Sequence, residues 1–226
     1  MLPEMMDALA ERARRSGNRP IVLTGVGTAF CVGADLKWLG TCADPAAGVA
    51  DLVARHHAAV LALLAAPVPV VAAINGAAAG GGLSLALASD YRVAAASATF
   101  TAAYFALGLP PDGGNSAFLT RTIGWGRSME LLLTNRTLSA QQALAWGLVN
   151  EVVADGQLLE RARQFATSLP RVPPATLLAT RDLLDAAAGE GGIQNQLQRE
   201  ALAMRSAARQ PVFRAALHAF LNRGRA

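Results

Sequence analysis

Apolar positions along the chain fall into two rhythms, one of helical and one of strand period. Leu2, Met5, Met6, Leu9 and Ala13 recur at helical spacing and stop at Gly17-Asn18, which predicts a helix to about Ser16. Residues 19–24, Arg-Pro-Ile-Val-Leu-Thr, form a short branched run ended by Gly25-Val26-Gly27, which predicts a strand. Asp35 is placed to cap a short helix over 36–39, and 41–48 is a polar connection. A long helix is predicted over about 47–65, stopped by Pro67, with Val53, His57, Val60 and Leu64 on one face. Residues 69–75 read as a buried strand, Gly80-Gly81-Gly82 opens a buried helix, and 91–94 and 99–101 continue as strands. Strands alternating with helices imply an α/β fold around a mostly parallel, covered sheet.

From Gly108 onward the pattern becomes helical. Helices are predicted over about 116–123, 127–133, 139–146 with Ser139 as cap, 155–169, 174–188, 193–208 and 212–221, and only 149–153 interrupts them as a strand. The organisation expected is a core over 1–154 followed by a helical C-terminal region over 155–226.

With 226 residues and 53% hydrophobic content, the chain can bury a large core. Alanine carries much of that content and Asp or Arg interrupts every long run, so no membrane span and no membrane partner is expected. The net charge of +4 rests on scattered arginines, with Lys37 the only lysine and no basic block interleaved with aromatics. Nucleic acid is therefore not an expected partner, while an anionic small molecule such as a phosphate ester is favoured. Cys31 and Cys42 lack metal-ligand spacing, so no metal is expected, and with no secretory segment a reducing cytoplasm is the expected compartment.

The glycine triplet is the most informative stretch. Three glycines let a backbone approach a ligand closely and leave amide N–H groups bare at the start of a helix, where they suit an oxygen that gains negative charge. Close packing of helix on strand is the plainer reading. Gly25-Val26-Gly27 fails as a dinucleotide fingerprint, because the third glycine, the following long helix and the ribose-binding acid are all missing. The pairing of residues 30–36 with 79–82 is a better candidate, since amides from two separate turns can converge on one oxygen.

On these stretches the sequence resembles the enoyl-CoA hydratase/isomerase (crotonase) superfamily, with motifs nearest its isomerase and 4-chlorobenzoyl-CoA dehalogenase branches. Residues 21–25 with 30–37 resemble the first signature, 70–90 the second, Gly108-Leu109-Pro110-Pro111-Asp112-Gly113-Gly114 the third, and 140–153 the continuation. The resemblance implies a ββα superhelix with a helical C-terminal region that serves trimerisation and covers the active site, assembled as a homotrimer or hexamer. Relatives open with strands ahead of the helix at which this chain starts, so those first strands are expected to be lacking. It also implies an acyl-CoA substrate, with coenzyme A as part of that substrate and no further cofactor. The thioester oxygen would be held by the N–H groups of Ala34 and Gly81. Cys31, Gly33, Asp35, Leu36, Lys37 and Trp38 would line the substrate from the first turn, Gly80 and Ser84 from the second, and Tyr104 and Pro111 from the third.

Hydratases of the family carry glutamates where this chain has Ser84 and Tyr104, and neither hydroxyl can act as a base near neutral pH. Asp112 remains as a carboxylate in the right place. Its apolar neighbours are expected to raise its pKa, which suits a base that moves a proton between carbons. It matches the aspartate that acts as base in the isomerases and as nucleophile in the dehalogenases, and a turn or cap aspartate is the plainer reading. His57 reads first as a core histidine, although its position is similar to that of the general base of the dehalogenases. His56 and His218 have no expected partners, Asp90 can pair with Arg92, and Glu130 with Arg127 or Arg136. Trp125 and Trp146 are expected to be packing residues. Three functions stay open: a double-bond isomerase, a dehalogenase or thioester hydrolase, and a non-catalytic acyl-CoA-binding protein.

Overall fold

The computed structural model describes residues 1–187. The chain divides between Leu169 and Pro170 into two compact units. In the second, α8 (Pro174–Ala187) is the described element.

The first unit begins with α1 (Pro3–Arg14), β1 (Ile21–Thr24), β2 (Ala29–Cys31), α2 (Leu36–Thr41) and α3 (Pro45–Leu64). Next come β3 (Val70–Ile74), β4 (Ala77–Ala79), α4 (Gly81–Leu87), β5 (Tyr91–Ala95) and β6 (Thr99–Thr101). It closes with α5 (Asn115–Thr134), β7 (Thr137–Ser139), α6 (Ala140–Trp146), β8 (Glu151–Val153) and α7 (Leu158–Ser168).

Two sheets result, one of order β1-β3-β5-β8 and parallel throughout, the other of order β2-β4-β6-β7. In the second sheet only the β6–β7 pair is antiparallel. The pairs β1-β2, β3-β4 and β5-β6 each put one strand in each sheet before the chain turns into helix, a repeated strand-strand-helix unit, whereas α6 separates β7 from β8. Every residue of β3 is buried, as expected for a central parallel strand covered on both faces. Asn75 ties down the corner between the sheets: its Oδ1 accepts the Gly25 N–H at 3.0 Å and its Nδ2 donates to the Gly27 carbonyl at 3.0 Å.

The second sheet was not apparent in the sequence. Its strands are three residues each, and β4 is three alanines, too short and too weak in β-propensity to stand out beside the glycines that follow. The break expected near 124 is real: Gly124 leaves helical geometry (φ 78°, ψ 164°) inside α5. Trp125 departs from expectation, because the residue beside that break points outward and is 72% exposed rather than packed.

Residues 47–64 also correct the reading of the apolar runs, being long and apolar enough by composition to cross a membrane. Here α3 acts as a core helix, burying Ala59, Val60 and Leu63 while α1 packs against it. Ser139 caps α6 in a capping box with Gln142, as the sequence predicts. The helices expected over 193–208 and 212–221 lie outside the described residues.

Candidate active site

Two strand-to-helix turns form one wall of the site. After β2 the chain passes through Gly33, at φ +88°, to Ala34 and then Asp35, whose carboxylate caps α2 by accepting the N–H groups of Lys37 and Trp38 at 3.0 Å each. After β4 it passes through Gly80, at φ +53°, into α4. The turns lie against each other: a Cβ on Gly33 would stand 3.1 Å from the Ala79 carbonyl oxygen and 3.5 Å from the Gly81 nitrogen. Gly82 allows this approach, because its Cβ would fall 1.9 Å from the Cys31 carbonyl oxygen. The Ala34 N–H has no hydrogen-bond acceptor among the described residues. The Gly81 N–H lies in the first turn of a helix, where no intrahelical acceptor exists for it. Ala34 and Gly81 line one cavity of about 540 Å³.

The other wall carries Asp112, the one carboxylate lining that cavity among the described residues. The Ser84 hydroxyl donates to the Asp112 main-chain carbonyl at 3.1 Å, and the Tyr104 hydroxyl reaches the same oxygen at 3.3 Å. Asn115 Nδ2 donates to the Tyr104 oxygen at 2.8 Å and to the Gly80 carbonyl at 3.0 Å. This buried mesh holds the Asp112 turn and the glycine turn at a fixed separation. Burial pushes the Tyr104 phenol well above its ordinary pKa, so it stays protonated and serves as a donor.

The expected rise in the Asp112 pKa is not found. Burial does push it up, but the hydrogen bond that a protonated His56 Nδ1 donates, the Tyr104 hydroxyl and the positive charge that His56 and His57 can carry outweigh burial, and the carboxyl lies below its usual range.

The two histidines exchange their expected roles. His57 is 48% exposed in its side chain, and His56 is 3% exposed. Helical phase explains this, since His56 falls on the face of Leu52, Ala59, Val60 and Leu63, all buried. Contrary to expectation His56 has partners: Nδ1 is 3.5 Å from Asp112 Oδ2, and Nε2 is 3.0 Å from the Gly81 carbonyl oxygen. His57 Nε2 lies 3.8 Å from the same Asp112 oxygen and accepts the Gly113 N–H at 3.1 Å.

Of the other residues singled out in the sequence, Gly33, Leu36, Gly80 and Tyr104 line the cavity. Ser84 lies behind it in the mesh. Cys31, Asp35, Lys37, Trp38 and Pro111 are not among its lining residues; Asp35 acts as a helix cap, Lys37 is exposed on α2, and burial raises the Cys31 thiol pKa. The lining away from the polar wall is apolar, with Leu39, Val49, Leu52, Val53, Leu107 and Leu109. Sequence reasoning missed His56 and Asn115. The phase of α3 could have revealed His56, whereas Asn115 offered no signal beyond its place at a helix start.

The family model for enoyl-CoA hydratase/isomerase matches residues 1–226. The chain belongs to the enoyl-CoA hydratase/isomerase family. It is an enzyme of this family by that match, and its two-sheet architecture is the crotonase fold. It is 36% identical over 225 residues to the 1,2-epoxyphenylacetyl-CoA isomerase of Escherichia coli (strain K12), covering 98% of this chain and 85% of the relative. It is 37% identical over 175 residues to 4-chlorobenzoyl coenzyme A dehalogenase-1 of Arthrobacter sp, covering 76% of this chain and 63% of that one. Among solved structures, the crystal structure of an enoyl-CoA hydratase from Polaromonas sp. JS666 superposes with a TM-score of 0.88 at 33% identity, covering 99% of this chain and 88% of that one. Members of one family named isomerase, dehalogenase and hydratase match this chain, so the reaction must be argued from the side chains of this enzyme's own cavity.

Proposed function

We propose that this enzyme binds an acyl-CoA thioester and moves a carbon–carbon double bond along its acyl chain. In this reading the Ala34 and Gly81 amides hold the thioester oxygen. Asp112 takes a proton from the α carbon, the C–H electron pair passes into the carbonyl to give an enolate, and Asp112 returns a proton, exchangeable with solvent, at the γ carbon. The observation that carries the proposal is that Asp112 is the cavity's one carboxylate among the described residues, while Ser84 and Tyr104 spend their hydroxyls on its main-chain carbonyl. Hydration in this family uses two carboxylates, and among the described residues the cavity wall has one, with His56 turned toward that same carboxylate rather than standing apart from it to hold a water. A carboxylate held ionised is available as a base at neutral pH, and the apolar lining favours an acyl group without polar substituents.

A second reading is favoured by the likeness to the dehalogenase and by His57 standing 3.8 Å from Asp112: Asp112 as a nucleophile, with His57 activating water. Against it, the His57 nitrogen that faces Asp112 is already accepting the Gly113 N–H.

The test uses 3-hexenoyl-CoA and 4-chlorobenzoyl-CoA in D₂O. Deuterium at the α or γ carbon of the first supports isomerisation; an aryl ester on Asp112 detected by mass spectrometry supports the nucleophilic route instead.

A further inference from the structure

The His56 ring is clasped between the two turns that build the site. A Cβ on Gly113 would fall 2.3 Å from its Cε1, and one on Gly81 would fall 3.0 Å from the same atom. Each ring nitrogen then has one assigned neighbour. Nε2 faces the Gly81 carbonyl at 3.0 Å; a carbonyl can only accept, so Nε2 carries a hydrogen. In the neutral ring Nδ1 is therefore a bare lone pair, and it points at Asp112 Oδ2 across 3.5 Å. Two lone pairs facing each other in a buried site make poor neighbours, and one proton placed between them turns the contact into a hydrogen bond.

His57 cannot play this part. Its Nε2 lone pair is committed to the Gly113 N–H, and its ring is half-exposed. The groups facing His56 are Asp112 from the turn before α5 and His57 from its own helix, with ring centroids 6.3 Å apart. Nearby, the Tyr104 phenol stays neutral and the Ser84 hydroxyl is spent on the Asp112 carbonyl.

We infer that His56 is a positioning residue that gives Asp112 a second seat for the proton it moves. The inference rests on the reading of Asp112 as the base. Asp112 takes the α proton while the C–H pair enters the enolate; the new O–H donates to Nδ1, and the proton crosses to it. The imidazolium is then held between the Gly81 carbonyl and the Asp112 carboxylate. The reverse transfer re-forms the carboxylic acid, which delivers the proton to the γ carbon. One proton leaves the substrate, one returns, and His56 ends neutral.

A proton from solution that fills the seat in advance should therefore inhibit. His56→Gln retains an amide donor for the Gly81 carbonyl and removes the seat, whereas His56→Asn removes the seat and puts an amide donor toward Asp112. With 3-hexenoyl-CoA and the full chain, the wild type should show an acid limb in kcat. In His56→Gln it should move down by about 1 pH unit or more toward the carboxylate range, with kcat lower by about tenfold and KM nearly unchanged. His56→Asn should behave likewise and serves as the reporter if the Gln variant does not fold; His57→Gln should leave the midpoint of the limb in place. An acid limb that stays put in a folded His56 variant, or kcat and KM lost together, overturns the inference. Asp112→Asn separates the two readings: if it keeps turnover, the base assignment fails; if it is inactive while the His56 variants keep the wild-type limb, only the proton seat is wrong.

Discussion

Asn115 Nδ2 donates to the Gly80 carbonyl at 3.0 Å, at the far end of the peptide group whose N–H belongs to Gly81. A donor on a peptide oxygen fixes the plane of that peptide and polarises its N–H, so Asn115 aims the amide assigned to the substrate oxygen without touching substrate. Removing an oxyanion donor outright costs about 10²–10³ in kcat. Asn115→Ala, which loosens the donor but leaves it in place, should lower kcat by about tenfold with little change in KM, measured by steady-state kinetics on 3-hexenoyl-CoA. Equal losses in kcat and KM would contradict this role.

The close approach of the two turns depends on one missing side chain. Gly82→Ala would place a Cβ 1.9 Å from the Cys31 carbonyl oxygen, a backbone atom that can move only with β2. Urea denaturation should show a loss of about 3 kcal/mol or more. Gly126→Ala is the contrasting case, because its Cβ would meet nothing within 4 Å on the exposed side of α5, and it should stabilise by about 0.5 kcal/mol.

The lowered Asp112 pKa has a consequence for stability. A carboxyl whose pKa is lower folded than unfolded contributes stability above its unfolded value, about 3.9, and that contribution disappears as pH falls through the folded value. Asp112→Asn lacks the contribution at every pH. The urea midpoints of wild type and Asp112→Asn should therefore converge as pH falls below about 4; divergence on acidification would contradict the assigned direction of the shift.

Much of the site was legible because it depends on residue types that are hard to read otherwise. Gly80-Gly81-Gly82 and the Gly33-Ala34-Asp35 turn carry backbone requirements that no other residues meet, so their meeting could be expected before any coordinates. The sheet made by β2, β4, β6 and β7 was not legible, since three-residue strands carry almost no periodic signal and are defined by the partners they find. The histidines were misassigned by a single step along α3: an apolar helix offers several plausible inward faces, and only packing against α1 and the glycine turns selects the one that buries His56. The Asp112 pKa was misjudged for the same reason, because the sequence gives its apolar neighbours while His56 comes from more than 50 residues away.

The account stands on Asp112 as the group that moves the proton. Wild type and Asp112→Asn should be compared with 3-hexenoyl-CoA, following the conjugated 2-enoyl thioester by its ultraviolet absorbance, with hexanoyl-CoA as an unreactive ligand to measure binding. The account predicts that the variant binds hexanoyl-CoA within about twofold of wild type and forms product at least about 10³-fold more slowly. Product formation at the wild-type rate by Asp112→Asn would contradict it.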